Sequence, residues 1–196
     1  LTEQNAARLY QCFIQDTFSH INVLKGIDII AAYTPKGMAA RAKKIAPPGI
    51  TIIPQKGKDL GGRLQNIFSQ LFSIGYKKIT IIGTDSPDLP VEYIKKSFAM
   101  LKGKTELVLG PAEDGGYYLI AMSKERKEIF RDIPWSTNIV FKKTMKKAKR
   151  VGLKAAILPK WYDVDNIDSL KVLRDNLKIR PVAAKTDAML KSIFND

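Results

Sequence analysis

Residues 79–90 read ITIIGTDSPDLP, an apolar segment that runs directly into a loop with two acids and two prolines. Ile79 to Ile82 predict a buried strand, and Pro90 is expected in the first turn of the helix that follows. Strand, loop and helix in this order form the repeating unit of α/β proteins. If the fold is α/β, the same unit should recur on both sides of this one.

Helices and apolar strands do alternate outward from this unit. Thr2 is expected to cap a first helix, and three leucines, Leu170, Leu173 and Leu177, mark a last one. Further strands are predicted at 27–32, 50–53, 107–109, 117–121 and 155–158, and further helices around 38–45, 64–72, 90–101 and 141–150. Apolar strands separated by helices predict a three-layer α/β sandwich with a mostly parallel, Rossmann-like sheet, in which 117–121 is antiparallel. Since no linker or repeat interrupts the pattern, residues 1–196 are expected to form a single domain.

The composition restricts the class of protein. The 196 residues carry 33 Lys and Arg against 19 Asp and Glu, a net charge of +14, and 45% of them are hydrophobic. No apolar run reaches the roughly 20 residues that span a bilayer, no signal peptide begins the chain, and the single Cys12 excludes an internal disulfide. We therefore expect a globular protein without a membrane span, located in the reducing cytoplasm.

The positive charge is concentrated in one segment. Residues 138–160 contain eight Lys and Arg and no acid. Phe141, Met145 and Ala148 recur there at helical spacing, so the segment predicts an amphipathic helix with a basic face. That face is either solvated or a binding surface for nucleic acid or other anionic partners. Nucleic acid is the less favoured partner, because no aromatic residues interleave the lysines.

In α/β folds the loops after the strands form the ligand site, so the acids in those loops are the first candidates. Asp85 follows the strand at 79–82, where a carboxylate can bind Mg²⁺ or Mn²⁺ or form a local turn. Asp88, two residues before Pro90, is expected to cap the next helix. In the loop after 155–158, one of Asp163 and Asp165 should face the cleft while Asp165 is the expected helix cap.

A third loop contains two acids followed by two glycines. Asp114, Gly115 and Gly116 lie between the strands at 107–109 and 117–121. Glycines let a backbone approach a ligand closely while the carboxylate is presented to it, which suits a sugar hydroxyl or an acceptor. The alternative is a plain turn between neighbouring strands. Motifs for P-loops, dinucleotide folds, serine nucleophiles and Cys/His metal sites are absent from the sequence.

Five motifs occur in order along the chain: QKGKDLGGRL at 55–64, GTDSP at 83–87, EDGGYYLI at 113–120, PWST at 134–137 and YDVD at 162–165. Together they resemble the bacterial GT-A glycosyltransferase-like family that is associated with radical-SAM genes and described as acting in arsenosugar biosynthesis. The resemblance covers nearly the whole chain. It implies the fold of the nucleotide-diphospho-sugar transferase superfamily, whose members include nucleotidyltransferases.

The resemblance also implies a metal site. Asp85 stands where the superfamily has a metal-binding acid after its fourth strand, and Asp163, or else Asp165, matches the second acid on the metal side. The implied cofactor is Mg²⁺ or Mn²⁺, which would neutralise a diphosphate leaving group.

Two further motifs have implied roles in binding. The segment with Asp59, Gly61, Gly62 and Arg63 is similar to a glycine-rich helix start that contacts the nucleotide base in related cytidylyltransferases, or its amides could hold phosphate. Trp135 either stacks on a sugar or fills the core, with the core slightly favoured. Gly115 and Gly116 are candidate substrate contacts.

The leading hypothesis is a metal-dependent transferase that uses a nucleotide-diphospho-sugar and a small-molecule acceptor, with Asp114 as the base on the acceptor side. The alternatives are a nucleotidyltransferase that releases pyrophosphate from a nucleoside triphosphate and a basic binding module without enzymatic activity. The oligomeric state stays open, a homodimer included. The family begins with a strand and a basic loop before its first helix, whereas this chain opens inside that helix. We therefore expect further residues before Leu1, because a missing central strand would leave its neighbours unpaired.

Overall fold

The computed structural model describes residues 1–194, in which helices and strands alternate. The helices are α1 (Glu3–Ile21), α2 (Ala39–Ile45), α3 (Leu60–Ser73), α4 (Val91–Met100), α5 (Val140–Arg150), α6 (Ile167–Ile179) and α7 (Ala184–Phe194). The strands are β1 (Ile30–Tyr33), β2 (Thr51–Pro54), β3 (Ile79–Ile82), β4 (Thr105–Pro111), β5 (Tyr117–Met122) and β6 (Lys154–Ile157). Short 3-10 turns at Lys36–Met38 and Lys127–Phe130 complete the described part. The α/β prediction is confirmed.

The strands form two sheets. β1 and β2 pair in parallel, and a four-stranded sheet has the order β3-β5-β4-β6. β5 is antiparallel to both of its neighbours, as predicted, whereas β4 and β6 are parallel. Within residues 1–194, β1 and β3 each pair with a single strand, yet Ile30 of β1 and Ile81 of β3 pack on the same core. The carboxyl ends of β3 and β6 carry the acidic loops.

The core explains why α3 and the central strands form. Leu64, Ile67, Phe68 and Leu71 recur at helical spacing and are all buried. The ring of Phe68 stacks on Phe130 with ring centroids 5.9 Å apart. β4 and β5 are covered on both faces, which is why their residues read as continuous apolar runs. The helical stripe and the buried strands were both predicted from the sequence.

α7 was not predicted, and its start depends on a distant residue. The carboxylate of Asp16 in α1 accepts hydrogen bonds from the backbone amides of Lys185 at 3.3 Å and Thr186 at 2.7 Å. These amides lie in the first turn of α7, so Asp16 satisfies donors that the helix itself leaves free. Asp16 is 3% exposed. The start of α7 could not be predicted from a neighbouring capping residue, because the carboxylate that binds its first amides lies on α1.

Two predicted helix caps are wrong. Asp165 does not cap α6, because the side chain of Asn166 accepts from the amides of Asp168 and Ser169, and Ser169 closes a capping box. Asp88 does not cap α4, which begins after Pro90 without a side-chain cap. Thr2 does cap α1, as predicted. Among residues 1–194, no helix combines the length and the apolar character that crossing a bilayer requires.

Candidate functional site

Hydrogen bonds join the loop after β3 to the segment after β6. The hydroxyl of Ser86 donates to the backbone oxygen of Tyr162 at 2.8 Å and lies 3.1 Å from Oδ1 of Asp163. The amide of Val164 donates to the backbone oxygen of Asp85 at 3.0 Å. Ser86 is buried, so water cannot easily replace these bonds. The two segments therefore hold their acids in fixed relative positions.

Three of the predicted site acids, Asp85, Asp114 and Asp165, lie close enough to Asp163 to affect its carboxyl. Burial is the main reason that the pKa of Asp163 rises to about 6, and the charges of Asp114, Asp165 and Asp85 raise it further. The hydroxyl of Ser86 opposes this effect. Burial and the charge of Asp165 also raise the pKa of Asp85. The structure thus brings three loops from different parts of the chain to one acid cluster, Asp85, Asp114, Asp163 and Asp165.

Tyr10 contacts this cluster, a role that no pattern in the sequence indicated beyond its place on the first helix. Its hydroxyl lies 2.9 Å from the hydroxyl of Thr84, and it bonds the carboxylate of Asp85, which lowers the pKa of that acid. The Tyr10 side chain is nevertheless partly exposed. Residue 10 therefore contacts the acid cluster from α1 while remaining accessible to a ligand.

The carboxylate oxygens of the cluster suit a divalent cation that is bound together with a phosphate-containing ligand. Among the described residues, the groups that shift the pKa of Asp85 and Asp163 include no Lys or Arg. Clustered carboxylates without a cation favour a bound metal. However, no three Asp, Glu, His or Cys side chains within residues 1–194 are placed to hold an ion by themselves. Mg²⁺ fits this arrangement, because it commonly takes one or two carboxylates and completes its shell with water and substrate phosphates.

Behind the cluster, Asp88 links the same two segments. The carboxylate is 1% exposed and accepts a 2.6 Å hydrogen bond from the hydroxyl of Tyr162. The guanidinium of Arg180 donates to the backbone oxygen of Asp88 and lies 3.8 Å from its carboxylate. Burial raises the pKa of Asp88, while Tyr162 and Arg180 lower it. Asp88 is thus a buried residue that holds Tyr162 and Arg180 in place, a role that the capping rule did not predict.

The loop with Asp114 is a turn of close backbone contacts. One carboxylate oxygen of Asp114, Oδ1, accepts a hydrogen bond from the amide of Gly116 at 2.7 Å. The side chain is exposed, so its other oxygen is accessible to a ligand. Gly115 has φ +90°, and its carbonyl accepts from the amide of Phe141 at 2.9 Å. A Cβ at Gly115 would lie 1.9 Å from the backbone oxygen of Asn138. This glycine is therefore required by packing, whatever ligand it contacts.

The glycine-rich segment starts α3. Asp59 caps the helix, its carboxylate accepting from the amide of Gly62 at 2.7 Å. Gly61 lies under the indole of Trp135, where a Cβ would come within 2.2 Å of the ring. The side chain of Arg63 is half-buried. The nucleotide contacts predicted for this segment stay a prediction, but the cap and the tight packing give two of its residues structural roles.

Trp135 connects this helix start to the third loop. Its ring contacts Tyr117, at the start of β5, edge to face with centroids 6.3 Å apart, and stacks on Phe130 at 6.5 Å. It packs against the main core while staying partly exposed. The packing agrees with the core interpretation, and stacking on a sugar stays a prediction. Trp135 thus contacts both Gly61 at the start of α3 and Tyr117, which follows the Asp114 loop in the chain.

Asp163→Asn is expected to stabilise the metal-free protein by about 1 kcal/mol at about pH 8, after allowance for solvent screening. The reason is that burial raises the pKa of Asp163 from 3.8 to about 6 in the folded protein. The folded state therefore holds this proton more tightly than the unfolded state, and wild-type stability falls as the pH rises through that interval. Urea unfolding with and without the substitution measures the difference.

The gain should shrink at about pH 4, where the wild-type carboxyl is already largely protonated in the fold. Asp175→Asn is the matched control, because Lys178 lowers the pKa of this exposed acid and its removal should give no gain. An Asp163 variant no more stable than wild type at the higher pH would contradict an unfavourable charge on the buried Asp163 carboxylate.

Comparisons with known proteins identify the family and the fold of this chain. The profile of a family described as "Uncharacterized protein conserved in bacteria (DUF2064)" matches residues 17–137. A crystal structure from Desulfovibrio desulfuricans G20, provisionally assigned as a nucleotide-diphospho-sugar transferase, has 31% sequence identity and a TM-score of 0.91. The match covers 98% of this chain and 84% of that one. No curated protein matches.

A more distant solved structure shares the fold. It is 4-diphosphocytidyl-2C-methyl-D-erythritol synthase, with 11% identity and a TM-score of 0.58, covering 84% of this chain and 88% of that one. At this identity the likeness concerns the fold alone. The predicted fold of nucleotide-diphospho-sugar transferases is confirmed by the closer match, whereas the connection with radical-SAM genes and arsenosugars stays a prediction.

Proposed function

Since the chain belongs to the family described as "Uncharacterized protein conserved in bacteria (DUF2064)", we propose that this transferase moves a sugar from a nucleotide-diphospho-sugar to a small-molecule acceptor with the help of Mg²⁺ or Mn²⁺. Its fold is that of nucleotide-diphospho-sugar transferases. The observation that carries the proposal is the cluster of four acids on three loops. Among residues 1–194, no Lys or Arg shifts the pKa of Asp85 or Asp163. Such a cluster suits a divalent cation bound together with a diphosphate.

In this proposal Asp85 and Asp163 hold the metal, with Asp165 as the alternative second acid. The ion would stabilise the negative charge that develops on the diphosphate leaving group. Ser86 fixes Asp163 through its 3.1 Å hydrogen bond, and Tyr10 orients Asp85. Because the chain alone places no three ligands around one point within residues 1–194, the nucleotide should supply the remaining oxygens. Metal and nucleotide are therefore expected to bind together.

The start of α3 is proposed to contact the nucleotide. The amides of its first turn point toward the helix N-terminus, where a phosphate or the polar edge of a base can accept hydrogen bonds. The side chain of Asp59 already binds the amide of Gly62, so the amides before Gly62 and the side chain of Arg63 are the available donors. Trp135, in contact with Gly61, bounds this area on one side.

The test is a calorimetric titration of the protein with UDP, GDP and CDP, each in the presence of Mn²⁺ and in the presence of a chelator. Metal-dependent binding of one nucleotide supports the proposal and identifies the base. Failure of all three to bind in the presence of Mn²⁺ would contradict it. Weak binding of Mn²⁺ alone that tightens when the nucleotide is added would support the shared site.

Asp114→Asn is expected to lower turnover about 100-fold while nucleotide affinity stays within about twofold. An amide cannot accept the acceptor's proton, yet its oxygen can still accept from the Gly116 amide, so the turn is kept. Release of the nucleoside diphosphate from the donor, followed with the acceptor present, measures the effect. Glu113→Gln, a neighbouring exposed acid, is the control and should be nearly silent. Equal losses in both variants would remove Asp114 as the base.

A nucleotidyltransferase is the second candidate, because the fold is shared with a 4-diphosphocytidyl-2C-methyl-D-erythritol synthase. That reaction releases pyrophosphate from a nucleoside triphosphate, whereas sugar transfer releases a nucleoside diphosphate. Incubation with nucleoside triphosphates and a pyrophosphate assay therefore separates the two reactions.

A further inference from the structure

The exposed face of α5 carries positive charge that the acid cluster does not use. We name as the basic face its five exposed cations, Lys142, Lys143, Lys146, Lys149 and Arg150. A sixth cation on the helix, Lys147, pairs with Asp132 at 2.9 Å, and Arg150 is near enough to lower the pKa of the same acid. Residues 138–160 contain no acid. The four lysines of the basic face therefore have no carboxylate on their own segment.

The stability of the helix does not account for this pattern. Lys146 lies three or four positions from Lys142, Lys143, Lys149 and Arg150, so it faces like charges on the helix surface in both directions. The first turn of α5 contains no acid, and Lys142 and Lys143 are instead near the positive end of the helix dipole. Both effects destabilise a helix. A surface that only contacts water would not require this destabilising arrangement of lysines.

The residues of the surface identify the class of partner. The cations run from Lys142 to Arg150, a row about 12 Å long on this 11-residue helix. Ile139 and Val151, at its two ends, are each 38% exposed. The aromatic residue between 138 and 160, Phe141, packs against the core and is not available for stacking on bases. Lysine point charges flanked by exposed aliphatic residues suit a planar array of lipid phosphates and carboxylates better than a nucleic acid.

We propose that the basic face of α5 docks this protein onto membrane surfaces that contain anionic lipids. The contact is electrostatic, with Ile139 and Val151 reaching the headgroup region, and no part of α5 enters the bilayer core because its apolar side packs within the protein. The amide of Phe141 in α5 donates to the carbonyl of Gly115 at 2.9 Å. The helix that docks is therefore in direct contact with the Asp114 loop on its protein side. The proposal is independent of the proposed function.

The test is co-sedimentation of the full chain with vesicles of phosphatidylcholine, with and without phosphatidylserine, over a salt series. We expect binding only with phosphatidylserine, weakening as salt increases. The variant Lys142→Glu/Lys143→Glu/Lys146→Glu should bind about 100-fold more weakly or worse, given roughly fivefold per cation near an anionic surface. It should melt no lower than wild type, because it relieves repulsion and places acids in the first turn.

The matched control is Lys96→Glu/Lys102→Glu/Lys104→Glu, which changes the net charge equally at exposed positions outside α5, on α4 and the turn after it. It should keep vesicle affinity within about threefold. Equal losses in both variants would show that net charge alone is responsible and would overturn the proposal, as would failure of the wild type to bind phosphatidylserine at low salt. Tighter binding to a duplex DNA or RNA than to the vesicles, lost in the α5 variant, would assign the face to nucleic acid instead.

Discussion

Asp85→Asn is expected to weaken metal-dependent nucleotide binding by about 100-fold or more, close to 3 kcal/mol, without loss of fold stability. Asparagine keeps the size of the side chain and can still accept a hydrogen bond from Tyr10, so the contacts around residue 85 remain. It removes the negative charge that a divalent cation requires. Titration of the tightest nucleotide with Mn²⁺ measures the loss.

Two comparisons make the result for Asp85 specific. In the presence of a chelator, wild type and variant should bind the nucleotide equally weakly, because the carboxylate acts through the metal. Asp168→Asn, an exposed acid in the first turn of α6, should leave binding unchanged. If Asp85→Asn retained wild-type affinity with Mn²⁺, the metal site would have to be placed on other residues. Affinity that is insensitive to Asp85 but falls steeply with salt would favour the basic module without enzymatic activity.

Gly115→Ala is expected to destabilise the protein by about 4 kcal/mol, the sum of backbone strain and a steric clash. Gly115 has φ +90°, a conformation that L residues rarely adopt. Its Cβ would also lie 1.9 Å from the backbone oxygen of Asn138, which a side-chain rotation cannot relieve. Thermal unfolding should show a midpoint lower by about 10 °C for a protein of this size.

Gly152→Ala separates the two causes. Gly152 has φ +71° but nothing within 4 Å of the added Cβ, so this variant retains the strain without the clash and should lose only about 1 kcal/mol. Similar losses for both variants would mean that the contact between the Asp114 loop and Asn138 is not kept in solution. A much larger loss at Gly115 would confirm that the segment before α5 supports this loop.

The charges of the acid cluster affect both ligand binding and the stability of the metal-free protein. Burial and like charges raise the pKa of Asp163 to about 6, which is unfavourable in the metal-free fold. Ser86 and Tyr10 offset part of this by donating to Asp163 and Asp85. Groups held in an unfavourable charge state are typical of functional sites. Binding of a cation should therefore both create the active form and stabilise the protein.

The alternation of strands and helices could be predicted because it depends on local periodicity. Ile79–Ile82 forms a strand with the predicted bounds, and α3 buries the predicted apolar stripe. β1 begins at Ile30, three residues later than predicted from the apolar run at 27–32. Apolar character indicates burial, but it does not state where hydrogen bonding to β2 begins.

The two wrong cap predictions, Asp88 and Asp165, show what a local capping rule cannot predict. The position of Asp88 before Pro90 favours a cap, yet Tyr162 and Arg180, distant in sequence, surround this carboxylate and bury it. α6 is capped by Asn166 and not by Asp165, because the side chain of Asn166 accepts hydrogen bonds from two amides of the first turn. Distant contacts hold Asp88 away from the helix start, whereas the cap of α6 was decided between two adjacent residues that both satisfied the local rule.

The chain order of apolar and polar residues was sufficient for the α/β class, for the acids after strands and for the basic helix, since each is a pattern of neighbouring residues. The contacts of Tyr10 with Thr84, of Ser86 with Asp163 and of Gly115 with Asn138 became visible only in the folded chain. The same is true of the effect of Asp85, Asp114 and Asp165 on Asp163. These features depend on distances between residues far apart in sequence, and such distances arise from the packing of whole elements rather than from any local preference.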